Sequence, residues 1–442
     1  MRRLNSLPLD DDIVDQIFTF CPDFTTLNSL NLVCKDLYGV FLAHPKSINA
    51  AVARNLTGPE SFPEALRYLR YNFDQDDDDS NDVVPIETSP LTALEKIQLG
   101  KNADVVRKLE DLFSQWYKDG KSTTSVLTPE ESFRFRRAMY RILIYSSRFG
   151  ALEYDEDEAI EISDEPLTMA KIFMQRHRML SKYPTPHLRE IHTVVKFLKQ
   201  AADWVRPEIE TQHDDPEQTT DICVAAGPAL ILAAYEARGM EVMEDACEMV
   251  DSFADIPFFA GFFSNPLSRI WTARGVPAPP EGAQHLGSIL EVVPDGLDTC
   301  RGCTASPVSR LWTSTTWYHF IVDTPTLLPG KLHLNRTETD VLHALLHHPH
   351  DPHTPTTDVL VREIFRDVPL RPEFTGWTAE DRLCGDCLRR LLDEHTWMWL
   401  RDRRVADGWV PPEDCWYGYD CTTQYKNAHH ATTKNHLCEP TK

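Results

Sequence analysis

From Cys415 to Lys442 the chain reads CWYGYDCTTQYKNAHHATTKNHLCEPTK, placing three cysteines and three histidines in a stretch with almost no apolar periodicity. Such a segment cannot bury a core of its own. Cysteine and histidine at these spacings point to a metal ion as the ordering element. Cys415 and Cys421 are separated by five residues, His430 and His436 are likewise separated by five, and eight residues lie between the halves. His429 can take the place of His430, and Cys438 that of His436. Zinc held this way supplies ~10 to 16 kcal/mol of apparent folding energy, enough to order so core-poor a segment.

A second set of cysteines has metal spacing too. Cys300-Arg-Gly-Cys303 and Cys384-Gly-Asp-Cys387 are pairs with two residues between, and the glycine in each permits a tight turn that aims both thiolates at one ion. The second pair opens an amphipathic run with Leu388, Leu391, Leu392 and Leu400, which places its thiolates at a helix N-terminus, where the dipole favours negative charge. This resembles a treble-clef arrangement. The alternatives are a redox dithiol or separate, inert cysteines. The expectation is about two structural zinc ions per chain, each closed by four protein ligands and therefore non-catalytic.

The balance of charge narrows the partners. A formal net charge of -23 repels phosphate at long range and disfavours nonspecific nucleic-acid or anionic-membrane binding. The start, MRRLNSLPLDDD, has no apolar run of the signal-peptide kind, and no stretch approaches a membrane span. A cytoplasmic or nuclear protein is expected, and in that reducing setting the 11 cysteines read as thiols or ligands rather than disulfides.

Periodicity predicts a mainly α protein. Ile13, Val14, Ile17 and Phe18 fall at helical spacing after Asp10 to Asp12, Cys21-Pro22-Asp23 ends that helix, and a second run carries Leu27, Leu30, Val33, Cys34 and Leu37. Residues 74–82 are a like-charge block expected to be a solvated linker, and the acidic run from Glu153 to Glu165 is also expected in a loop. A helical body spans residues 90–275, with Gly227-Pro228 marking a helix pair or a kink, and Pro277, Pro279 and Pro280 mark a change of domain. A region at 295–405 carries the four-cysteine set, and 411–442 forms the small finger-like tail. The histidines at 343, 347, 348, 350 and 353 read as a helix end followed by a proline-punctuated loop.

The N-terminal residues resemble a known family. Leu7-Pro8-Leu9-Asp10, the Ile13/Ile17 pair, Leu30-Asn31-Leu32-Val33-Cys34-Lys35 and the aromatic Tyr38 look like an F-box over residues 4–50, of the kind found in fungal-type F-box proteins. The resemblance implies that the apolar face of a helical trap, with Leu7, Pro8, Ile13, Ile17, Leu30, Val33 and Cys34, docks on a Skp-type adaptor of a cullin-RING ubiquitin ligase. Aspartate stands where the motif usually has glutamate, and Tyr38 near where many members carry tryptophan. An ordinary helical cap is the alternative reading of the same residues.

The tail resembles the small zinc finger of aprataxin-like DNA-repair proteins, with Cys415, Tyr417, Gly418, Cys421, His430 and His436 on its motif positions and a central spacer two residues longer. That resemblance implies poly(ADP-ribose) or nucleic-acid recognition, for which Trp416, Tyr419 and Tyr425 would stack and Lys426 or Lys434 would supply charge. Phosphate-binding glycine loops, nucleophile elbows and zinc-protease helices are absent from the sequence. Together these features predict a non-catalytic receptor that brings a protein target to a ubiquitin ligase, with a reader of poly(ADP-ribose) or nucleic acid as the alternative.

Overall fold

The computed structural model describes residues 10–71, 90–118, 125–150, 156–205, 216–237, 258–280, 282–293, 299–303, 311–320, 324–346 and 357–442. It is mainly α, as expected. Among these residues the only β pairing is two isolated bridges, Trp312 with Leu383 and Asp414 with Asn435. The chain forms two compact units. The first holds the described residues of Met1–Ser114, Val126–Arg206 and Glu210–Val293, and the second those of Gln115–Ser125, Pro207–Ile209 and Pro294–Lys442. No described helix is long and apolar enough to cross a membrane.

Unit 1 begins with five short helices, α1 (Asp11–Thr19), α2 (Phe24–Val33), α3 (Lys35–Ala43), α4 (Pro45–Thr57) and α5 (Phe62–Leu69). The first four close around Val14, Phe18, Cys21, Leu27, Leu37, Ile48 and Val52. Asp23 starts α2 by accepting a hydrogen bond from the Thr26 N–H at 2.7 Å, a side-chain N-cap. The Asn55 amide of α4 donates to the carbonyls of Thr19 and Cys21 at 2.7 and 3.0 Å, occupying acceptors that the end of α1 leaves open.

The apolar run from Leu27 to Leu37 reads as one helix in the sequence but is two. Cys34 is extended, with φ -159° and ψ 163°, so α2 stops at Val33 and α3 starts at Lys35. The break keeps Leu27 and Leu37 in the core and leaves Val33 facing water.

The body is organised by the helix Pro129–Phe149, whose start is a capping box between Thr128 and Glu131. Phe135 of this helix meets Phe113 at 5.0 Å between ring centroids, and Phe113 meets Phe197 edge-on at 5.4 Å. Arginines on the same helix carry buried pairs: Arg137 grips Glu190 with two hydrogen bonds of 3.0 and 2.7 Å, and Arg141 reaches Glu64 of α5. Gly227, with φ 108°, separates the helices Pro216–Ala226 and Pro228–Ala237, so the apolar segment is a helix pair.

Two expectations change in this unit. The acidic run is not a loop through its length: Glu156–Asp164 is helical, because it buries Ala159 and partly buries Ile162 one turn on, leaving Glu161 and Asp164 to water. The prolines at 277–280 do not end the body either. Leu286, Ile289 and Leu290 are buried, and Thr193 donates to the His285 carbonyl at 2.8 Å, holding the 3-10 turn Gly282–Ser288 on the helix Thr185–Val205. The acidic block 74–82 and the histidines at 347, 348, 350 and 353 lie outside the described residues; the helix Arg336–Leu346 does end just before that histidine run.

Unit 2 has the helix Gly385–Ala406 as its spine, burying Leu388, Leu391, Leu392, Trp397, Trp399 and Leu400. The helix Thr357–Asp367 packs on it through Leu360, Val361 and Ile364, and Trp399 donates its indole N–H to Glu363 at 2.8 Å. Buried Glu338 is paired with Arg404 of the spine.

Candidate metal centres

Both cysteine-rich sets converge. In each of two groups, Cys300, Cys303, Cys384 and Cys387, and Cys415, Cys421, His430 and His436, the four ligand atoms lie within 4.8 Å of one another. The eight residues expected from spacing are therefore the eight that meet, and they can hold a metal ion at each place.

The four-cysteine site is built from two chain segments fastened side by side. The Arg301 N–H donates to the Arg382 carbonyl at 2.8 Å, and Trp312 exchanges backbone hydrogen bonds with Leu383. This clamp brings the first pair to Cys384, the N-cap of the spine helix, although 80 residues separate Cys303 from Cys384 in sequence. Cys303 and Cys384 sulfurs are 3.8 Å apart. Gly302 is required by close approach: a Cβ there would sit 2.5 Å from the Trp377 ring and 2.8 Å from the Cys387 sulfur. Trp377 is thus a wall of the site that cysteine spacing does not reveal.

Electrostatics in this site favour a thiolate at Cys300. Burial pushes its pKa up, but backbone N–H groups of Cys384, Cys303 and Gly302 outweigh that and bring it down to about 7. The Cys384 N–H lies 3.2 Å from the Cys300 sulfur and the Gly302 N–H 3.4 Å. Burial raises Cys384 and Cys387, and for Cys387 the neighbouring Cys384 and Cys300 thiols add to the rise. A cation shared by the four sulfurs reverses that penalty.

The Cys2His2 site is also positioned by backbone. The Cys415 N–H donates to the Asn435 carbonyl and the Asn435 N–H to the Glu413 carbonyl, at 2.9 and 3.0 Å, which sets Cys415 beside His436. Asn427 caps the short helix Ala428–Thr433 by accepting from the His430 N–H at 3.1 Å, and so orients that histidine. His430 Nε2 is 3.7 Å from the Cys415 sulfur and 3.4 Å from that of Cys421. Gly418, at φ 43°, lets the chain pass beside the Cys438 carbonyl, which a Cβ would approach to 2.2 Å.

The structure decides between the interchangeable ligands. His429 is exposed and outside the group, whereas His430 is within it. The Cys438 thiol donates to the Asn435 carbonyl at 3.4 Å, and burial raises its pKa to about 11; it is not among the four. His436 is 1% exposed and both its ring nitrogens are buried without a hydrogen-bond partner. Burial and then the charge of His430 hold it near pKa 4, hence neutral with a lone pair free to bind a metal. An orphaned buried imidazole among two thiols and a second imidazole fits a metal ligand.

Comparison with protein-family models, with curated proteins and with solved structures finds no match to this chain. Its chemistry is therefore read from its own residues.

The tail is not a free-standing finger. Buried Gln424 accepts from the Asn335 amide at 3.0 Å and donates to the Tyr419 carbonyl at 3.0 Å, while the Tyr419 ring lies 5.7 Å from Trp397 of the spine helix. Tyr419 is thus a packing residue. Trp416 and Tyr417 remain exposed, with Lys442 Nζ 4.0 Å from the Trp416 ring centroid.

Among the N-terminal candidates, Leu7 and Pro8 lie outside the described residues. Ile13, Ile17 and Val33 are exposed, and Leu30 and Cys34 are half-buried against the α1–α4 core. Phe20 and Leu42 are exposed as well, and sequence reading passed over both. Phe20 follows Ile13 and Ile17 at helical spacing, and Leu42 follows Tyr38 by four residues, so the signal was present.

Proposed function

We propose that this chain is an F-box-type substrate receptor that links a protein target to a Skp-cullin-RING ubiquitin ligase. The observation that carries the reading is the set of large apolar side chains left exposed after α1–α4 have closed their own core: Phe20 is 79% exposed, Leu32 86% and Val33 65%, and Ile13, Ile17, Tyr38 and Leu42 are exposed as well. Large apolar side chains on successive helices are what a partner groove takes up, each contributing about 1.5–3 kcal/mol when fully buried. Ubiquitin transfer belongs to the ligase, and this chain supplies binding. Full-length protein and purified Skp-type adaptor should co-elute in gel filtration, and Ile17→Asp with Val33→Asp should abolish the complex. Failure of the folded wild-type chain to bind rejects the reading.

The ions are zinc in this proposal, one per site and structural. Tetrahedral zinc, with bonds of about 2.3 Å to sulfur and 2.0–2.1 Å to nitrogen, sets sulfurs roughly 3.8 Å apart and sulfur roughly 3.6 Å from nitrogen. The 3.8 Å between Cys303 and Cys384, and 3.7 and 3.4 Å around His430, support that size. Four protein ligands leave no position for substrate.

A second reading, recognition of poly(ADP-ribose) or nucleic acid, draws support from the exposed Trp416 and Tyr417 beside Lys442, an aromatic face with a cation. Filter binding of the full chain at low salt tests it, and absence of binding ends it.

A further inference from the structure

Unit 1 contains an open groove of about 890 Å³, lined by Phe24, Thr25 and Asn28 of α2 and by Lys96, Ile97 and Gly100 of the helix Ala93–Tyr117. Its volume lies within the range of ligand sites. It draws on none of the metal ligands and on neither Ile17 nor Val33.

Of the three cations that line it, two are paired, and the Asp23 and Asp104 carboxylates line it as well. Arg107 is paired with Asp104 at 2.7 Å and Asp111 at 3.5 Å, Arg136 is paired with Glu110, and the Asp23 carboxylate is engaged at the Thr26 N–H. Lys96 is half-buried and, among the described residues, has no carboxylate within ion-pair distance; its ammonium lies 5.8 Å from the Phe24 ring centroid. Burial lowers its pKa, as expected for a cation that has lost water without gaining an anion. In a chain with 68 acidic residues and a net charge of -23, an unmatched half-buried lysine stands out.

The glycine is the second observation. Gly100 occupies a helix interior, where glycine is about 1 kcal/mol less favourable than alanine. Packing does not require it, since a Cβ built at Gly100 meets nothing within 4 Å. Its effect is to keep the groove open beside Lys96, one turn away on the same helix face.

From this geometry we infer that the groove receives a short acidic peptide segment, with a carboxylate on Lys96 and a neighbouring apolar side chain against Ile97 and Phe24 over Gly100. The carboxylate supplies the missing anion. The exposed Asn28 and Thr25 side chains offer hydrogen-bonding groups to the peptide backbone.

The test uses the full-length, zinc-loaded chain and a random peptide display library, with the selected peptides synthesised and titrated by fluorescence anisotropy. Selected sequences should pair Asp or Glu with an adjacent Leu, Ile or Phe. Lys96→Glu and Gly100→Leu should each weaken them by about tenfold or more, while Lys96→Arg retains binding. Gly100→Leu improves helix propensity and meets no neighbour, so its circular dichroism and melting temperature should be kept, which separates lost binding from lost fold. Recovery of no peptide, selection of basic peptides, or affinity unchanged in both Lys96→Glu and Gly100→Leu overturns the inference.

Discussion

The side-chain amide of Asn335 donates to Gln424 Oε1 at 3.0 Å, and the two residues are 0% and 2% exposed. Gln424 lies between the two halves of the Cys2His2 set, so this bond fastens the tail to the rest of unit 2. Replacing Gln424 by leucine leaves the Asn335 donor buried without an acceptor, at a cost of about 1–3 kcal/mol. We expect a lower melting temperature and faster proteolysis at the tail, with zinc content retained. Unchanged tail proteolysis would show that the bond does not hold the tail.

Metal content is expected at about two zinc ions per full chain, and Cys384→Ser should reduce it to about one. Cys384 is both a candidate ligand and the N-cap of the spine helix, so the loss should also unfold part of unit 2. Gly302→Ala offers a subtler version, because its methyl group would collide with Trp377 and Cys387. Atomic absorption and thermal melts should show weaker zinc retention in Gly302→Ala than in wild type. Full occupancy in Cys384→Ser would remove that cysteine from the ligand set.

Substitutions in α1 separate binding from folding. Val14 and Phe18 are 1% exposed and belong to the core, whereas Ile13 and Ile17 are 47% and 43% exposed. Val14→Ala should cost about 2–3 kcal/mol of stability by leaving a cavity. Ile17→Asp should leave the melting temperature nearly unchanged while removing adaptor binding. The reverse pattern in denaturation and co-elution assays would mean that the helix faces have been misassigned.

Helix positions, the Gly227 break and all eight residues of the candidate metal sites were legible because each has a local signature: 3.6-residue periodicity, a glycine before proline, or paired cysteines and histidines. What was hidden depends on residues distant in sequence. Trp377 against Gly302, Gln424 on Asn335 and the Trp312–Leu383 bridge have no pattern that one segment carries. Cys34 shows another limit. Its extended backbone divides a run with good apolar spacing, and the division turns Val33 outward. The acidic stretch before Pro166 misled because its charge count obscured buried Ala159 and half-buried Ile162, one turn apart on one helix face.

Acid should destabilise unit 1 before its carboxylates account for the loss. Burial, then the charges of Lys196, His285 and Lys199, hold His192 at about pKa 4; burial, then Arg137 and Arg141, hold His187 there too. An unfolded histidine titrates near 6.5. Between these values the unfolded chain binds more protons than the native one, so stability is complete above about pH 6.5 and falls as pH drops toward 4. The more buried His192 should contribute on the order of 1–3 kcal/mol across that window. Urea midpoints measured through the window should therefore decline less steeply for His192→Gln than for wild type. Parallel pH profiles for the two proteins would mean that His192 does not carry the acid sensitivity.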